Sequence, residues 1–91
     1  MVNDKILEKL REQLGEDADD LLAADGFDAA IIGTATRCGR PPILVYDARK
    51  CIEVLMKRDG MTREEAEEFF SFNTEGAWVG DKTPAYVWTL K

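Results

Sequence analysis

The 91-residue chain contains no histidine, which removes the commonest general base and the commonest zinc ligand. Its two cysteines, Cys38 and Cys51, are too few for a disulfide framework and form no CxxC pair. No apolar run approaches the ~20 residues that span a bilayer. The opening MVNDKILEKL is charged throughout, unlike a signal peptide. There is no nucleotide-binding glycine loop, no metal-ligand spacing and no internal repeat. These absences lead to the expectation of a cytosolic protein with reduced thiols, no membrane association and no cofactor.

What is present is a core and an uneven charge. The hydrophobic fraction is 45% and the charged fraction 33%, enough for one domain spanning residues 1–91. Net charge is −6. Nine acids and three bases lie between Asp4 and Asp28, and six bases and two acids between Arg37 and Arg58. Seven acids and three bases lie between Asp59 and Lys91. An acidic surface repels phosphate, so direct nucleic-acid binding is not expected. It suits simple solubility, or docking to a partner with a basic face.

The apolar spacing predicts an α+β fold. Asn3 or Asp4 caps a first helix whose Ile6, Leu7, Leu10 and Leu14 share one face, with Gly15 as its stop. A short second helix follows, capped by Asp17, carrying Ala18, Leu21 and Leu22, and closed by Asp25-Gly26. Residues 1–26 thus read as an acidic helical hairpin. Residues 27–91 hold the rest. Ala29 to Thr36 is a strand, Arg37 to Pro42 a turn, and Ile43 to Tyr46 the returning strand. Asp47 caps a helix with the stripe Ala48, Cys51, Ile52, Leu55 and Met56, ended by Asp59-Gly60. Thr62 to Glu65 is a capping box for a helix running to about Glu75. Pro84 to Leu90 is a last strand with Tyr86, Trp88 and Leu90 on one face. The order α-α-β-β-α-α-β predicts a small three-stranded, mainly antiparallel sheet with helices packed on one side.

Four stretches could carry function. Glu16, Asp17, Asp19 and Asp20 form a carboxylate cluster, but Leu21 and Leu22 occupy the fifth and sixth positions of any calcium loop starting at Asp17. It reads as an acid-rich helix start, or as a protein-docking surface. Cys38, between Arg37 and Arg40, has cationic neighbours that favour thiolate, yet no histidine to serve it. Cys51 reads as a small core residue. Arg49, Lys50, Lys57 and Arg58 spread around their helix as a solvated face. Finally, FFSFNTEGAWVGDKTP sets Asn73 in the middle of an arc formed by Ala66, Phe69, Phe70 and Phe72. A buried amide needs partners. Asn73 either pins the Gly76–Gly80 backbone or, with Thr74, Trp78, Asp81 and Tyr46, lines a small polar pocket.

The pattern Tyr46-Asp47, Lys50-Cys51-Ile52, Leu55, Asp59-Gly60-Met61-Thr62, Glu64-Glu65-Ala66, Phe72-Asn73, Gly76-Ala77, Val79-Gly80 and Thr83-Pro84 resembles small proteins encoded by bacteriophages and prophages. The match covers about the second half of the chain. The resemblance implies a setting in the host cytoplasm and carries over no catalytic residue. In that setting the small size and acidic charge are analogous to those of phage proteins that bind and block a host protein, among them anti-CRISPR and other anti-defence inhibitors. With no histidine, metal spacing or nucleotide loop, the expectation is a non-enzymatic accessory protein that binds a host or phage protein. Two alternatives stand beside it: a small-ligand or nucleotide-binding domain around Asn73 and Trp78, and a minor virion or assembly component. An enzyme has less support, because no pair of acids is singled out by spacing. The oligomeric state stays open.

Overall fold

The computed structural model describes residues 4–24 and 26–90, so Asn3 and Asp25, expected at a cap and a turn, lie outside the described residues. Helix α1 spans Asp4–Leu14 and turns Leu10 inward, with Ile6, Leu7 and Leu14 packed beside it. Strands β1 (Ile31–Arg37) and β2 (Arg40–Asp47) form the hairpin. Helices α2 (Ala48–Asp59) and α3 (Arg63–Phe69) follow, and α3 runs directly into a π-helical turn over Phe70–Glu75. Strand β3 is short, Ala85–Val87. The sheet order is β1-β2-β3, and the fold is α+β.

Local chemistry explains most of these elements. The Asp47 carboxylate accepts from the Arg49 and Lys50 N–H groups at 3.0 and 3.3 Å, satisfying two orphan donors of α2. Ala48, Cys51, Ile52 and Leu55 then bury one stripe, with Met56 half-buried beside it. Gly60 ends the helix in the left-handed conformation. Thr62 and Glu65 make the reciprocal capping box, with Glu65 N–H donating to Thr62 Oγ1 at 3.2 Å and Thr62 N–H to Glu65 Oε1 at 2.9 Å.

Three differences from expectation matter. First, the expected second helix is only a 3-10 turn over Gly15–Asp20. Residues 21–24 leave it in irregular conformation, and the Ala24 N–H is taken by the Tyr46 hydroxyl at 2.8 Å rather than by a helical carbonyl. Second, Pro41 and Pro42 lie inside β2. Ala35 faces Ile43 and Arg37 faces Arg40, so the two prolines oppose the single residue Thr36 in a bulge. There they forfeit no ladder bond, and they precede Val45–Asp47, the stretch that β3 pairs. Third, the sheet is mixed. β1 pairs β2 antiparallel, but β3 runs parallel to β2, with Tyr46 opposite Tyr86. The connection through α2, α3 and the π turn is the long crossover that a parallel pair requires.

The main core lies on the Leu44 and Tyr46 face of the sheet. It joins them to Ala48, Cys51, Ile52 and Leu55 of α2, to Ala66 and Phe70, and to Leu10, Ala18, Phe27 and Ala30 from the N-terminal third. Tyr46 sits at its centre, fully buried, with its ring 5.5 Å from that of Tyr86. Phe70 meets Tyr86 edge-on at 5.2 Å and Trp88 at 6.0 Å. Such edge contacts add about 0.5–1.5 kcal/mol each beyond area burial. Among the described residues, no helix is long and apolar enough to cross a membrane.

Replacing Tyr46 with Phe keeps the ring and strips the Ala24 N–H of its acceptor. The expected cost is about 1–2 kcal/mol, read as a lowered urea midpoint at unchanged slope.

Candidate functional site

The site is built by the end of α3. Along a regular α-helix, Asn73 would follow Phe69 and Phe70 onto the buried face. Instead the Gly76 N–H reaches back five residues to the Ser71 carbonyl at 3.0 Å, and the wider turn resets the facing. Ala66, Phe70 and Thr74 become the buried positions, four residues apart, while Asn73 and Phe72 are exposed. Asn73 therefore does not pin the Gly76–Gly80 loop. Thr83 holds it instead, accepting the Val79 N–H at 2.8 Å and donating its hydroxyl to the Gly80 carbonyl at 2.6 Å. Gly76 is required by close approach. A Cβ there would lie 2.9 Å from the Ser71 oxygen and 3.3 Å from that of Phe72.

Beside this turn runs an open groove of about 500 Å³. Leu22, Ala23, Ala24 and Phe27 form one wall, and Phe69, Asn73, Thr74, Ala77, Val79, Pro84 and Tyr86 the rest. Arg58 closes one part of it. Its guanidinium lies 5.5 Å from the Phe27 ring centre and donates to the Gly26 carbonyl at 3.0 Å. Two further bonds of 3.1 Å tie it to Asp59, raising the Arg58 pKa and holding the Asp59 carboxyl below its usual value. A side chain on Gly26, which has φ 87°, would overlap Arg58 Nη1.

Of the five residues expected around a small polar pocket, two line the groove, Asn73 and Thr74. Tyr46 lies beneath, in the core. Asp81 is engaged elsewhere, its carboxylate 2.6 Å from Arg40 Nη1 and its carbonyl accepting from Arg37 at 2.7 Å. Trp78 stands outside the groove, 71% exposed. The groove's character is thus apolar rather than polar, because the π turn moves the amide to the rim. Sequence reasoning missed Phe69, Ala77, Val79, Leu22 and Arg58 as neighbours, since the groove joins segments some forty residues apart in the chain.

The acidic cluster is spread around its 3-10 turn. Asp19 pairs with Arg11 at 2.8 Å, Ala18 points into the core, and Glu16, Asp17 and Asp20 are exposed. Among the described residues, no group of three or more His, Cys, Asp or Glu side chains is placed to hold a metal ion. Cys38 is exposed in the two-residue turn and Cys51 is buried in α2. Burial, reinforced by the nearby Asp47 carboxylate, pushes the Cys51 thiol up to about 12. Burial likewise pushes Tyr46 and Tyr86 up to about 12; for Tyr46 it outweighs the opposing hydrogen bond from Ala24.

No protein-family model, curated protein or solved structure matches the chain.

Two outcomes are expected. Gly76→Ala lowers stability by about 1 kcal/mol or more through overpacking against the two carbonyls, measured by urea unfolding. The raised pKa values of Cys51, Tyr46 and Tyr86 stabilise the fold fully below the ordinary thiol and phenol values. That contribution is lost as pH climbs toward about 12, because the unfolded chain releases these protons first. The urea midpoint therefore falls progressively above about pH 9. In the same window iodoacetamide labels Cys38 in the native protein and Cys51 only after unfolding; equal labelling of both would contradict the buried thiol.

Proposed function

We propose that this chain is a non-catalytic binding protein that docks a host or phage protein through its Phe72–Trp78–Val79 surface. The observation that carries this reading is the exposure of three large apolar side chains beside an apolar groove. Phe72 is 77% exposed, Trp78 71% and Val79 61%. Phe69, at 38%, lies between Phe72 and the groove, Val79 lines the groove, and Trp78 sits in the chain between the groove residues Ala77 and Val79. Single exposed apolar residues are ordinary, but a contiguous set bordering a groove is a mark of interaction sites. Aromatic anchors in such a set carry a large share of interface energy. A small ligand seated in the groove would leave Phe72 and Trp78 uncovered, which favours a protein surface over the pocket alternative. The resemblance to phage and prophage proteins supports a bacterial host as the setting, with inhibition of a host defence protein as one form such binding takes. The acidic cluster at Glu16, Asp17, Asp19 and Asp20 is a second docking surface in this reading.

The test uses a photo-crosslinking amino acid placed at position 72 or 78, with the exposed position 53 of α2 as the control. Expressed in the bacterial host, the first two are expected to yield the same discrete adduct and the control none. Adducts that are absent, or equal at all three positions, would sink the proposal. The double variant Phe72→Ala, Trp78→Ala is expected to lose the partner while changing stability by no more than about 0.5 kcal/mol, as surface substitutions do. A large loss of stability would mean that these rings serve the fold.

A further inference from the structure

We infer that the groove receives the apolar stripe of a basic amphipathic helix from the partner, whose lysines or arginines meet Glu65 and Glu68. This rests on the protein-binding reading above and specifies the partner's chemistry. The groove adjoins a shallow depression lined by Glu65, Glu68, Phe69, Phe72 and Asn73. Phe69 and Asn73 line both, so apolar floor and carboxylate rim form one surface.

The charge offered there is negative. The only cation within α3, Arg63, is committed to Glu67 at 3.0 Å. Glu65 gives one oxygen to the Thr62 N–H and keeps the other. Glu68 makes no ion pair among the described residues and is exposed. On the far wall, the Arg58 charge is matched by Asp59 in a two-point pair. An anionic ligand, nucleic acid or anionic membrane would therefore meet carboxylates at the rim. A second copy docked through the same patch about a two-fold axis would bring these acids close to their own equivalents. A helix with an apolar stripe and flanking cations satisfies both parts of the surface, the side chains filling the groove and the charges pairing at its edge. Its aliphatic residues also cover Phe72, which a compact ligand in the groove leaves in water.

The test is an NMR titration of the isotope-labelled protein with two synthetic helical peptides of about 18 residues. Both carry leucines at i, i+3, i+4 and i+7; the remaining positions are lysine in one and glutamate in the other. The leucine–lysine peptide is expected to shift the amides of Phe69, Asn73, Ala77 and Val79 and to saturate. Glu65→Gln with Glu68→Gln keeps the Thr62 capping bond and is expected to weaken binding about threefold to tenfold. Raising salt from about 50 to about 300 mM acts in the same direction. Ala77→Trp fills the groove without changing charge and is expected to weaken binding about tenfold or more. Val79→Asp adds attraction for lysine yet is expected to weaken binding too, because it spoils the apolar wall. Unchanged binding by both groove variants would mean adsorption to an acidic protein and would overturn the inference. So would an absence of shifts in the groove. If the leucine–glutamate peptide shifts the same amides equally well, the basic partner is wrong while the protein-binding reading survives. Peptide binding in the groove without crosslinks at positions 72 and 78 reports the reverse.

Discussion

Tyr46 ties three separate parts of this chain together. Its hydroxyl accepts the Ala24 N–H, its ring packs on Tyr86 of the neighbouring strand, and its backbone pairs with β1 on one side and β3 on the other. Among the described residues the N-terminal segment has no strand with which to join the sheet, so it is held by single hydrogen bonds. Of these, the bond to Tyr46 reaches the core, while those from Lys82 to the Asp20 carbonyl and from Arg58 to the Gly26 carbonyl are exposed. The hydrophobic contacts of Leu10, Ala18 and Phe27 supply the area, but area is non-directional. Fixing Ala24 in turn fixes Leu22, Ala23 and Phe27, which make one wall of the groove. The other wall hangs on Tyr86 and Phe70, which touch edge-on. Both walls thus lead back to one buried phenol.

The second constraint is the π turn. It costs the helix its regular ladder, and Gly76 lets the chain pass close to the Ser71 and Phe72 carbonyls. What it changes is facing: Thr74 goes in, and Asn73 and Phe72 come out. A continued α-helix would have turned Asn73 toward the core. Irregular helical turns of this kind recur at functional sites, and here the turn sets the apolar rings beside the groove.

Electrostatics refine this surface more than they hold the fold. The ion pairs Arg11–Asp19, Arg40–Asp81 and Arg63–Glu67 are all exposed, where a pair contributes about 0–1 kcal/mol. Their effect is distributional. The Arg63–Glu67 pair occupies the one cation of α3, leaving Glu65 and Glu68 to define the charge that a partner meets. Arg58 shows the same logic, since its stacking on Phe27 closes the groove while Asp59 cancels its charge. A net charge of −6 opposes association of copies through this apolar surface.

Local rules settled what is local. The Asp47 cap, the Thr62–Glu65 capping box, the α2 stripe and the Gly60 stop are each carried by residues within a few positions of one another, and α+β order follows from their succession. Register and pairing were not legible in this way. The bulge at Pro41-Pro42 reflects pairing with Thr36, the parallel course of β3 reflects where a long crossover delivers the chain, and Leu90, expected to share a face with Tyr86 and Trp88, is fully exposed beyond the end of β3. The site was half legible. Asn73 and Thr74 were placed in the right neighbourhood, but a fixed 100° per residue put the wrong one of them inside. Tyr46, Trp78 and Asp81 were grouped with them by composition, and tertiary contacts sent each elsewhere. The sequence by itself determined α1, α2, the start of α3 and the acidic charge, because caps and amphipathic stripes act over one or two turns. Only the tertiary structure decided the groove, because its walls come from segments that meet through Tyr46 and through the hydrogen bonds of one widened helical turn.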